Sequence, residues 1–196
     1  MTLDEQRIAA ILENKGISCR PFSKEERRKG KTPDFRAYRE DQIVFYCEVK
    51  TSEEDVYLDR QLDHFEPGTF VETLRNDPIF NRISAHIHSA HRQFDAVNGD
   101  LKLPNVLAFV NHDSKCGFSD LLAVLTGNFF ADDGEAYPIY RQFSEGRIVN
   151  EKMSIHMYIW VDAEKQEKLL FTQSHKEHHQ SFCKIFEVKP SSIKQI

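Results

Sequence analysis

The sequence predicts an α/β chain, a mixed β-sheet flanked by helices. Three observations lead there. Apolar residues recur at three- and four-residue steps over 3–15 and 79–97, which is helical spacing. Short apolar runs bounded by turn residues, at 42–50, 106–110 and 155–161, have the length of buried strands. The two kinds of segment alternate along the chain, the order from which α/β sheets are built.

Residues 3–15 place Ile8, Ile11 and Leu12 on one helix face, and Gly16 suits the C-terminal cap. A short strand is expected over Ile17–Phe22, ended by Pro21 and a polar turn. Residues 34–38 and 42–50 read as a hairpin joined by Arg39-Glu40-Asp41. Segment 51–80 carries eight acidic side chains against Arg60 and Arg75, is interrupted by Pro67, Gly68 and Pro78, and reads as an insertion of short helices and loops. The helix over 79–97 follows, with Ile83, Ile87, Ala90 and Phe94 in one stripe, and Asn98-Gly99-Asp100 stops it. Val106–Val110 is a buried strand that Asn111-His112-Asp113 ends in a turn. Phe118–Gly127 suits a helix with Leu121, Leu122 and Leu125 inward, Ile155–Val161 another strand, and 165–186 a partly helical tail. With no internal repeat, the expected organisation is one domain over 1–196 carrying the insertion 51–80.

Composition excludes several classes. A chain of 196 residues with 40% apolar residues and 15 Phe can bury a core and is not disordered. No run approaches the roughly 18 apolar residues of a membrane span, so no membrane partner is expected. The opening Met-Thr-Leu-Asp-Glu is acidic, unlike a signal peptide. Four cysteines at wide spacing, none in a Cys-x-x-Cys pair, fit reduced thiols and a cytoplasmic location. The net charge of −5 argues against tight nonspecific coating of nucleic acid. The charge is nonetheless polarised: residues 20–31 hold six cationic side chains against Glu25 and Glu26, just ahead of Asp34.

The informative stretch is Thr32-Pro33-Asp34-Phe35, followed by Glu48-Val49-Lys50. Side chains alternate along a strand, so Glu48 and Lys50 share a face. Ile43, Phe45, Cys47 and Val49 form a wholly apolar opposite face, and Val44 and Tyr46 continue the Glu48 face. A strand apolar on both sides is central in its sheet, where a charge is costly unless paired or metal-bound. The hairpin brings Asp34 beside Glu48. Two carboxylates and a lysine in reach of one another suit Mg²⁺ and hydrolysis of a phosphodiester, with the lysine beside the attacking water.

Pro33-Asp34 followed by Glu48-Val49-Lys50 resembles the signature of the PD-(D/E)XK nuclease superfamily, which includes many restriction endonucleases and Holliday-junction resolvases. The order of elements over 3–110 can be read as the family core of helix, three strands, helix and strand. The resemblance implies a restriction-endonuclease-like mixed sheet and metal-dependent cleavage, with Mg²⁺ or Mn²⁺ at Asp34, Glu48 and Val49 and Lys50 as the catalytic lysine. Glu5, Ile8, Leu12 and Gly16 resemble the first helix of resolvase-like members, which implies Glu5 as a further acidic member. Gln93 is the corresponding candidate on the helix after the signature.

The implied partner is nucleic acid, DNA before RNA, in restriction, repair or defence. Cutting both strands asks for two sites, which a homodimer would supply. The rival expectation is a catalytically inactive domain of the same fold that binds nucleic acid or protein. His86, His88 and His91 sit on the 79–97 helix with Arg82 and Arg92, and His88 and His91 share a face; lining the cleft or contacting nucleic acid is one reading of them, and the plainer expectation is partly exposed structural side chains.

Overall fold

The computed structural model describes residues 1–53, 76–131, 134–138, 145–162, 167–171 and 176–189. Helix α1 is Leu3–Glu13, with Thr2 and Glu5 closing a capping box at its start. Gly16, at φ +73°, turns the chain into strand β1, Ser18–Pro21. The expected polar turn contains a short exposed helix, α2, Lys24–Lys29, opened by a second capping box from Ser23 and Glu26.

Strands β2, Phe35–Arg39, and β3, Gln42–Ser52, form the expected hairpin. Arg39 pairs with Gln42, so the loop is Glu40-Asp41. Both residues have positive φ, +49° and +62°, as a twist-matched two-residue turn requires.

Helix α3 is Asn76–Asn98 and strand β4 Asn105–Asn111, all seven of whose residues are buried. Helix α4, Phe118–Thr126, ends at Gly127 with φ +75°. Next come strands β5, Asn128–Phe130, and β6, Ala136–Pro138, then helix α5, Glu145–Ser154. Strands β7, Met157–Asp162, and β8, Glu167–Phe171, and helix α6, Lys176–Phe186, complete the described chain.

The architecture is α/β. One mixed sheet runs β1-β2-β3-β4-β7-β8, and β5 and β6 pair as a separate ribbon. The strands β1 to β3 are antiparallel, β3, β4 and β7 are parallel, and β8 returns antiparallel to β7. Alternate residues of β4 face opposite layers. Leu107 and Phe109 pack with Tyr158 and Trp160 beneath α3, α4 and α5. Val106, Ala108 and Val110 pack with Phe35, Phe45, Ile159 and Val161 beneath α1 and α6. No described helix is long and apolar enough to cross a membrane.

One expectation is corrected. The segment 51–80 is narrower than an insertion of that span. Thr51 and Ser52 still pair with Val110 and Asn111, and Asn76–Phe80 already belong to α3, where Ile79 and Phe80 are buried in the core. The rest, 54–75, lies outside the described residues. The tail 165–186 is partly helical, as expected: α6 takes Lys176–Phe186, and Glu167–Phe171 is a strand paired on the edge of β7.

Candidate active site

β3 lies between β2 and β4, so the Glu48-Val49-Lys50 segment is interior to the sheet, not at its edge. It is also where β3 outruns β2. The last β2–β3 pair is Phe35 with Cys47, whereas β3 stays paired with β4 through Ser52. From Glu48 onward, among the described residues, one side of β3 has no strand beside it.

Asp34 occupies that opening, its Oδ2 accepting the Val49 N–H at 2.8 Å. In a strand the N–H and C=O of one residue point to the same side, so the Val49 carbonyl faces the same opening. An apolar side chain leaves Val49 only this oxygen to offer a metal.

The Glu48 and Lys50 side chains project on the other axis, toward α3. Glu48 is 2% exposed, and its Oε1 accepts from Lys50 Nζ at 2.5 Å. Lys50 Nζ also donates to Gln93 Oε1 at 3.0 Å and reaches Ser89 Oγ at 3.4 Å. The Gln93 amide donates onward to the Thr32 carbonyl at 3.0 Å, which ties α3 to the loop that delivers Asp34. Asp34, Glu48, Lys50 and Gln93, chosen from sequence, are thus drawn into one network.

A cavity of about 650 Å³ opens on this network, lined by Arg27, Lys31, Thr32, Asp34, Ser89 and Gln93. Arg27 also donates to the Asp34 carbonyl at 3.2 Å. Elsewhere in the basic run Arg20 pairs with Asp41 at 2.6 Å, and Glu26, one of its two acids, is taken by Arg36 at 2.6 Å.

The electrostatics are those of two acids forced together. Burial pushes the Glu48 carboxyl up to about 7, and the neighbouring Asp34 charge adds to this while Lys50 opposes it. Burial also raises Asp34; the Val49 N–H works against that, and the Glu5 charge adds to it. Glu5 is therefore within electrostatic reach of Asp34, yet its carboxylate accepts the Thr2 N–H at 2.9 Å as half of the α1 cap. Its place is at the margin of the site.

Glu48 Oε2 is buried, and among the described residues it has no hydrogen-bond partner. An orphan carboxylate oxygen of this kind is costly unless something else meets it. Among the described residues, no group of three or more His, Cys, Asp or Glu side chains gathers to hold a metal. The set present is Asp34, Glu48 and the Val49 carbonyl: all oxygen, two of the three carboxylates. That set fits a hard cation that keeps waters and shares a phosphate oxygen, as Mg²⁺ does.

For two neighbours of the site the sequence favoured the plainer reading. His112, read as part of a turn, holds the buried Asp4 through Nε2, 3.1 Å from both carboxylate oxygens, and Asp4 also accepts from Thr51 Oγ1 at 2.7 Å. This fixes the first turn of α1 on the ends of β3 and β4. His86 is the second. His88 and His91 turn instead to α5, where they meet Glu151 at 2.6 Å and Ser154 at 2.8 Å. The steps of four and three from Arg82 to His86 to Ser89 were the available signal for His86.

Compared with protein-family models, with curated proteins and with solved structures, the chain matches none.

Proposed function

We propose that this chain is a Mg²⁺- or Mn²⁺-dependent nuclease that hydrolyses phosphodiester bonds, with DNA as the first substrate to test. One observation carries the reading. A buried Glu48 holds Lys50 with one oxygen, has no partner among the described residues for the other, and sits beside Asp34 at the point where β2 stops. The order α1, β1 to β3, α3 and β4, with β4 parallel to β3, supports a restriction-endonuclease-like core around it.

Asp34, Glu48 and the Val49 carbonyl would hold the cation. When bound, it supplies Lewis-acid chemistry at the phosphorus centre, drawing charge from the phosphodiester oxygens. Lys50 orients the attacking water and neutralises charge as it develops; Glu48, Gln93 and Ser89 hold its ammonium in place. Arg27 and Lys31, lining the cavity next to Asp34, offer the substrate backbone two positive charges.

Incubating the protein with duplex and single-stranded DNA tests this, with and without millimolar Mg²⁺ or Mn²⁺. Metal-dependent cleavage that weakens as salt rises is expected. Asp34→Ala and Lys50→Ala should each lower the rate at least about 100-fold, the scale of losing one group that stabilises the transition state. Metal-independent cleavage, or equal cleavage by wild type and both variants, would overturn the assignment.

A further inference from the structure

Helix α3 turns one polar stripe toward β3: Arg82, His86, Ser89 and Gln93, at steps of four, three and four. Gln93 and Ser89 meet Lys50, and Arg82 meets Asp113. His86 is different. Among the described residues, none hydrogen-bonds its ring. The ring stands edge-on to Phe109, centroids 6.2 Å apart, and Phe109 is the β4 residue in register with Lys50. His86 is therefore at the height of Lys50, on the sheet face to which Glu48 and Lys50 project, about 4.5 Å further along the helix axis than Ser89.

The charges around it explain its form. Burial, then Lys50 on β3 and Arg82 on its own helix, push the imidazole down to about 4, so it is neutral at ordinary pH. A neutral imidazole carries one N–H donor and one acceptor nitrogen. With two cations adjacent, what the position adds is a hydrogen-bond donor without a third charge. Both cations are already paired, Lys50 with Glu48 and Arg82 with Asp113, so the uncommitted group here is a neutral donor, and a phosphate oxygen is an acceptor suited to it.

We propose that His86 is a further substrate-binding residue, its N–H donating to a phosphate oxygen next to the scissile phosphate. This rests on the nuclease reading. His86 lies one helix step from Ser89 toward the start of α3 and is not among the residues lining the cavity that holds Asp34, so its phosphate is a neighbour of the one that reacts. No proton is transferred and no bond is broken in this contact.

The experiment is metal-dependent cleavage at pH 7.5 by wild type, His86→Phe and His86→Gln, reading KM and kcat separately, with thermal melts of each. Phenylalanine keeps an aromatic ring against Phe109 and removes the donor; glutamine restores a neutral donor. His86→Phe should lose about 10- to 100-fold in kcat/KM, the scale of a hydrogen bond to a charged group. His86→Gln should recover to within about three-fold of wild type, and the pH profile of His86→Phe between 6 and 8 should parallel that of wild type. A second measurement leaves the protein unaltered: a neutral methylphosphonate placed in turn on each side of the scissile phosphate. At one of the two positions it should slow wild type as much as His86→Phe does, and slow His86→Phe no further.

Cleavage by His86→Phe equal to wild type would overturn the inference. So would a glutamine variant as poor as the phenylalanine one, or a methylphosphonate without effect at both positions. In each of these cases wild type still cuts and the nuclease reading stands. Wild type that does not cut at all overturns both.

Discussion

Asp34 Oδ2 stands 2.8 Å from the Val49 nitrogen, so a side chain takes the place of the strand that β2 no longer provides. This carboxylate has two separable tasks, to close a backbone hydrogen bond and to carry charge into the site. Asparagine keeps the first and loses the second. Asp34→Asn should unfold at nearly the wild-type denaturant midpoint, while Asp34→Ala should lose about 1 kcal/mol. Both should lose cleavage, and neither should gain thermal stability from Mg²⁺. A wild-type shift with metal in Asp34→Asn would contradict the assigned ligand role.

Glu48 predicts an unusual dependence on pH. Its carboxyl rises from an ordinary 4.5 to about 7 on folding. Between those values the folded protein holds a proton that the unfolded chain has released. Stability of the metal-free protein from this group is therefore full below about 4.5, falls as pH climbs toward 7, and levels off above it. Urea unfolding in EDTA at pH 5, 6, 7 and 8 should show this decline in wild type and a flatter profile in Glu48→Gln. Equal slopes would refute the buried-acid description.

Arg82 and Asp113 form a second buried pair, with the Asp113 side chain 1% exposed. Removing one partner of such a pair leaves the other desolvated and alone. Asp113→Ala should cost roughly 3 kcal/mol, measured by equilibrium unfolding. Arg82→Met, which retains the aliphatic bulk, takes the counter-charge from a buried carboxylate that otherwise accepts the Lys115 N–H at 2.8 Å, and should also destabilise.

Asp4 fastens α1 to the ends of β3 and β4 through Thr51 and His112. Asp4→Ala should loosen the first turn of that helix by about 1–2 kcal/mol, the scale of two hydrogen bonds of this kind. Hydrogen exchange should report it as faster amide exchange in α1, with β4 amides unchanged. Unaltered exchange in α1 would mean that the helix is held by Ile8 and Leu12 alone.

The hairpin and its chemistry were legible in the sequence because their signals are local. Pro33-Asp34, an apolar-faced strand and Glu48-x-Lys50 each speak within a few residues. Gln93 was harder, since nothing local links it to Lys50; the contact spans 43 residues and depends on how α3 crosses the sheet. Helix α2 was concealed by its brevity and charge, with six residues and none buried. Its Ser23 and Glu26 capping pair was the readable sign.

Strand β8 illustrates the opposite difficulty. Glu-Lys-Leu-Leu-Phe has no clean alternation, and its state is decided by the free edge of β7, a tertiary fact. His86 and His112 read as plain structural residues for a related reason. A histidine's meaning lies in what faces it: Lys50 and Phe109 for one, Asp4 for the other. The periodicity of the chain carries no record of that.

The four cysteines are unbridged, and burial raises every one of their thiols, Cys19 to about 12 and Cys116 to about 11. Little thiolate is present near neutral pH, so maleimide and similar reagents meet a protein that is nearly silent to them. A cysteine introduced at Lys31, on the cavity wall, would be the one fast-reacting sulfur. A fluorophore or spin label could then be set beside the site without first rebuilding the core.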